Sequence, residues 1–219
     1  MKLDQSVKIS FLGDSITHGA GVSSHDKCFV SVIGRKTGAV VQNCGISGTR
    51  IARKKTPSVK AEYDQCFLDR VTDLDADADV VVVFGGTNDF GHGDAAFGSF
   101  DDSPESEYTF YGALRSLALR LIRRFPTKKI VWMTPLHRRS EETTVNEIGL
   151  PTPPLREYVR AMKEIAAEYS IPALDLFATA GIQPMIEEQR AAFCPDGLHP
   201  NDVGAERLAD RVIAFLGTL

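Results

Sequence analysis

Short runs of β-branched and apolar residues alternate along the chain with longer segments in which apolar positions recur every three or four residues. The runs are Val7 to Leu12, Ala39 to Cys44, Asp79 to Phe84, Lys129 to Thr134 and Pro172 to Phe177. Most are continuously apolar, as strands covered on both faces should be. Between them, Phe110, Ala113, Leu114, Leu117, Leu121, Ile122 and Phe125 share one helical face. That helix is expected to take Ser103 as its N-cap with Pro104 at its first position, and to stop at Pro126. A second helix is predicted from Leu155 to Tyr169. A third closes the chain, with Ala205, Leu208, Val212, Phe215 and Leu216 facing inward. Strand and helix in alternation predict an α/β fold built on a parallel sheet.

Neither a repeat nor a Gly/Ser/Pro-rich linker divides the chain, so residues 1–219 are read as one domain. Two segments, Gly91 to Glu107 and His137 to Pro154, are longer than ordinary connections and follow the third and fourth strands, and loops of that length are usually functional or disordered. With 43% hydrophobic and 25% charged residues among 219, the composition supports a sizeable core. A net charge of -4, with basic residues scattered, argues against a nucleic-acid partner. No apolar run has the length of a spanning helix or a signal peptide, which predicts a cytoplasmic protein without integral membrane association. Cys28, Cys44, Cys66 and Cys194 show no regular spacing and are expected to be free thiols. Oligomeric state, monomer or dimer, is not legible in the pattern.

Chemistry enters at the strand exits. Gly13-Asp14-Ser15 places a serine, expected to be exposed, just beyond the first strand, at the edge where open α/β sheets bind ligands. Asp196-Gly197-Leu198-His199-Pro200 sets a carboxylate three residues before an imidazole, ahead of the last helix. A serine hydroxyl needs such a base to become nucleophilic, and the base needs a third group to fix its tautomer. Cys194, close by in sequence, reads as a small buried hydrophobe. The second strand exits into Gly45-Ile46-Ser47-Gly48, a turn able to present backbone N–H groups, and the third into Gly85-Gly86-Thr87-Asn88, where Asn88 offers a side-chain amide.

These four blocks, in the order Ser, Gly, Asn, then Asp and His, resemble the GDSL, or SGNH, hydrolase family, with Ile16 standing where that family's name has Leu. The resemblance spans Phe11 to Pro200. It implies a three-layer α/β/α sandwich with a five-stranded parallel sheet of flavodoxin-like order 2-1-3-4-5. It further implies Ser15 as nucleophile, Asp196 and His199 as its dyad, and an oxyanion hole from the Ser15 and Gly48 amides and the Asn88 side chain. The implied activity is ester hydrolysis through an acyl-enzyme. The polar loops tilt the expectation toward an acetyl ester of a sugar or other small polar alcohol, over a lysophospholipase or thioesterase, or a non-catalytic carbohydrate-binding relative. A G-x-S-x-G elbow and a G-x-G-x-x-G run are both lacking, against an α/β-hydrolase and a nucleotide-binding reading.

No cofactor or metal is expected. His92 and Asp94 are close in sequence, yet no recognisable ligand spacing surrounds them. His92 and His137 remain candidates for substrate contact. Arg50 and Arg53 read as solvated surface residues before anchors for an anionic substrate. Asp14 and Asp89 are each expected to fix their own turn through backbone amides.

Overall fold

The computed structural model describes residues 1–219 and contains a parallel sheet in the order β2-β1-β3-β4-β5. The strands are β1 (Lys8–Gly13), β2 (Val40–Gly45), β3 (Val80–Phe84), β4 (Lys129–Met133) and β5 (Ala173–Leu174). Helices α1 (Ser15–His18) and α2 (Phe29–Thr37) lie between β1 and β2, and α3 (Phe67–Arg70) precedes β3. Helices α4 (Thr87–His92) and α5 (Phe110–Arg124) follow β3, and α6 (Leu155–Glu168) follows β4. The chain closes with α7 (Leu176–Thr179), α8 (Glu187–Phe193) and α9 (Asp202–Gly217).

The period-2 geometry of a strand explains the three layers. Val81 and Val83 of β3 and Ile130 and Trp132 of β4 join α5 and α6 in one core. Their alternates, Val80, Val82, Phe84, Val131 and Met133, join α2 and α9 in the other. Both faces are thus covered, and β1 and β3 are buried almost throughout. Strand β2 is the exception: as an edge strand it leaves Val40 exposed despite its apolar sequence.

Three expectations need adjustment. Helix α5 starts at Phe110, not after Ser103, because Thr109 is the cap: its Oγ1 accepts from the Gly112 amide, while residues 103 to 108 fold as turns. The fifth strand shrinks to two residues because Asp175 caps α7 through the Ala178 amide and ends the extended run. The loop expected from Gly91 begins later, since Gly91 and His92 complete α4. All four cysteines are free thiols. No helix is long and apolar enough to cross a membrane.

Candidate active site

Strand β1 ends at Gly13, and the chain turns into α1 under the control of Asp14. The Asp14 carboxylate accepts from the Ile16 amide at 3.0 Å and caps the helix, so Ser15 is its first residue and not its cap. Burial pushes the Asp14 carboxyl up to about 7, against the Ile16 amide and Arg70, which pull it down. Ser15 is not the exposed serine the sequence suggests; it is 6% accessible because His199 covers its hydroxyl. Ser15 Oγ lies 3.0 Å from His199 Nε2, and His199 Nδ1 lies 2.7 Å from Asp196 Oδ2.

The loop before α9 brings His199 there. Gly197 adopts φ +82°, a left-handed turn that lets Asp196 Oδ1 accept from the Leu198 and His199 amides at 2.8 and 2.7 Å. Burial raises the Asp196 carboxyl, but those amides and the His199 ring outweigh it and hold the group below the usual carboxylate range. An ionised Asp196 only accepts, so Nδ1 carries the proton and Nε2 turns a lone pair toward the Ser15 hydroxyl. Nearby, Cys194 is buried, and burial pushes its thiol up to about 12, which leaves it inert.

Gly48 and Asn88 reach the same crevice as Ser15 and His199. Gly48 sits at φ +76°, and a Cβ there would lie 2.8 Å from the Tyr63 ring, so both backbone and space require glycine. The N–H groups of Ser15 and Gly48 donate to no protein acceptor. Asn88 spends one amide proton on the Thr49 carbonyl at 2.9 Å and keeps the other. Three uncommitted N–H donors therefore belong to residues that line one crevice with His199.

Buried charges hold these segments together. Arg70, 3% accessible, donates to the carbonyls of Gly13 at 3.0 Å and Cys44 at 2.8 Å and to Thr49 Oγ1 at 2.9 Å. Asp89 accepts from the Ile51 and Ala52 amides at 3.0 and 2.9 Å, so it anchors the Gly48 segment and not its own turn. Burial pushes its carboxyl up to about 6.

Farther along the crevice, the sequence-level expectation for Arg50 fails. Arg50 is 3% accessible, donating to the Tyr63 carbonyl at 2.7 Å and to His92 Nδ1 at 3.0 Å. Arg53 stays outside, paired with Asp69 and Glu107. Of the two histidines in question, His92 lines the crevice, whereas His137 stacks on Phe177 with ring centroids 3.7 Å apart and bonds to Glu141. Asp94 is spent on the Lys55 and Thr56 amides. The residues missed in the sequence are Tyr63, Arg70, Arg138 and Glu147. Arg138 is buried, donates to Glu147 at 2.5 Å, and lines the crevice with it. Only the length of the 137–154 segment pointed toward that pair.

A doubly covered parallel sheet of this order, with a serine, a histidine and a carboxylate hydrogen-bonded in line beyond β1, defines an ester-bond hydrolase of the α/β/α type. The chain belongs to the GDSL-like Lipase/Acylhydrolase family, whose model matches residues 11–207. One solved structure is 37% identical and covers 100% of this chain and 99% of its own, with a TM-score of 0.84. A protein from Lactobacillus plantarum is 28% identical, covering 100% of this chain and 98% of its own, with a TM-score of 0.81. The fold is also that of an acetyl xylan esterase, 20% identical over 95% of this chain and 98% of its own, with a TM-score of 0.63. No protein of curated function matches.

Proposed function

We propose that this acylhydrolase is a serine esterase that cleaves a short-chain ester, acetyl first, of a sugar or other small polar alcohol through an acyl-enzyme. The observation that carries the reading is the in-line chain Ser15 Oγ, His199 Nε2, His199 Nδ1, Asp196 Oδ2, at 3.0 and 2.7 Å. As Ser15 Oγ bonds to the ester carbonyl carbon, its proton passes to His199 Nε2. The carbonyl oxygen gains the negative charge and takes hydrogen bonds from the Ser15 and Gly48 amides and the second Asn88 amide proton. Collapse breaks the bond to the alcohol oxygen, which receives the proton from Nε2. Water then repeats the sequence on the acyl-enzyme, and the acid leaves with Ser15 reprotonated. Asp196 keeps Nδ1–H in place and stabilises the imidazolium between steps.

Support for a small substrate with polar groups comes from the crevice, about 310 Å³ in volume, whose lining includes His92, Arg138 and Glu147. The acetyl xylan esterase that shares the fold acts on that kind of ester. Ser15→Ala is expected to lower turnover of p-nitrophenyl acetate by about 10³ or more with the melting temperature retained, and to lose labelling by a fluorophosphonate. Full activity in that variant would overturn the mechanism. Comparing acetyl, butyryl and octanoyl p-nitrophenyl esters tests the acyl length, and a preference for octanoyl would reject the short-chain assignment.

A further inference from the structure

The Arg50–His92 pair has no place in the bond-breaking steps, yet it is built with care. Arg50 is always protonated and only donates, so its contact with His92 Nδ1 at 3.0 Å makes that nitrogen an acceptor. His92 is thereby locked as the neutral tautomer with its proton on Nε2. Burial and the neighbouring Arg50 charge both favour the neutral ring. Nε2 has no hydrogen-bond partner in the protein and is not sealed from solvent, and His92 lines the crevice beside Asn88, one helical turn away on α4. The N–H therefore faces the space a substrate would fill. On the same wall stands Glu147, its carboxylate fixed by Arg138 and still 57% accessible.

We infer that His92, as a fixed Nε2–H donor, is a specificity-determining residue that binds a hydroxyl oxygen of the substrate's alcohol portion, with Glu147 accepting from a neighbouring hydroxyl. The inference rests on the short-acyl reading above, because an acetyl group has no oxygen beyond its carbonyl and only the alcohol can satisfy this pair. Hydroxyl groups both donate and accept, so a polyhydroxy alcohol matches a donor and an acceptor on one wall. An aliphatic alcohol of the same size would bury that wall and leave both groups unpaired, which costs affinity.

The test is the ratio of kcat/KM for 6-O-acetylglucose to that for hexyl acetate, two acetates of primary six-carbon alcohols. In His92→Phe the ratio is expected to fall by about tenfold. His92→Gln, whose amide can accept from Arg50 and donate into the crevice, is expected to recover most of it. Glu147→Gln, at an accessible side chain, gives a second reading should the Phe variant fail to fold, with a fall of about threefold to tenfold expected. A ratio unchanged within twofold in His92→Phe, or in Glu147→Gln where the Phe variant does not fold, would overturn the inference, as would equal losses on both esters. Absence of turnover on either ester by the unaltered enzyme, with no fluorophosphonate labelling of Ser15, would instead reject the esterase reading beneath it.

Discussion

The Arg70 guanidinium donates to the Gly13 carbonyl at 3.0 Å, two residues ahead of Ser15. The same nitrogen holds Thr49 Oγ1, next to Gly48, and Thr49 in turn offers its carbonyl to Asn88. One buried cation thus ties together the three segments proposed to bind the oxyanion. Arg70→Met takes the Arg70 donor from the Cys44 and Gly13 carbonyls, of which Gly13 keeps the Ile46 amide at 3.1 Å, and the loss costs about 1–3 kcal/mol. Its kcat is expected to fall by roughly 10- to 100-fold with KM within about twofold, because donor placement matters most in the transition state. Thr49→Val removes one arm of Arg70 together with the hydroxyl's bond to the Ile46 carbonyl at 2.7 Å, and should show a smaller loss of kcat than Arg70→Met. Steady-state kinetics with thermal melts check both, and a Thr49→Val enzyme with unaltered kcat would remove the positioning role.

Asn88 makes a sharper case. Replacing it by alanine deletes the side-chain donor and also frees the Thr49 carbonyl it holds at 2.9 Å. Turnover is expected to drop by about 10² to 10³, mostly in kcat. Asn88→Asp keeps the size but presents a carboxylate to a developing negative charge, and should be at least as impaired. Comparing the three enzymes on p-nitrophenyl acetate separates loss of a donor from loss of packing.

Legibility in the sequence follows burial. Strands β1, β3 and β4 are covered on both faces, so their continuous apolar runs are plain. The start of α5 is less so, because Ser103 and Thr109 are both acceptable caps, and only the fold shows that Thr109 directly precedes the first core residue, Phe110. Ser15, Gly48, Asn88, Asp196 and His199 stand at strand exits or just before the last helix, where each residue type suggests a chemistry, and the resemblance of the four blocks taken together implies the roles. Arg50, Arg70 and Arg138 cannot be read that way. A charged side chain in sequence looks solvated, and these three become buried only because carbonyls and carboxylates from distant segments close around them.

Gly48 holds a left-handed backbone that is free of strain for glycine and would be strained by any side chain. Alanine at φ +76° costs about 1–3 kcal/mol for the backbone alone. Its Cβ would also meet the Tyr63 ring at 2.8 Å, so the loop must shift and carry the Gly48 N–H with it. Gly48→Ala is therefore expected to lose both melting temperature and kcat. Adding Tyr63→Ala relieves the clash but not the backbone, so the double variant should recover only part of the stability. Full recovery would show that the contact, and not the left-handed backbone, demands glycine.

His92 sets one component of the pH dependence of stability. Burial first, and the Arg50 charge second, bring its folded pKa down to about 4 from an ordinary value of 6.5. Between those two values the unfolded chain binds more protons at this position than the folded one. The contribution of His92 to stability is therefore complete above pH 6.5 and is lost progressively as pH falls toward 4. Asp14 and Asp89, raised by burial to about 7 and 6, act with the opposite sign, losing stability as pH rises through those values. Subtracting the unfolding free energies of His92→Gln from those of the parent removes the carboxylates common to both. The difference is expected to fall by about 1–3 kcal/mol from pH 6.5 to 4 in urea titrations. A flat difference across that range would mean that His92 protonates as readily in the folded protein as in the unfolded chain.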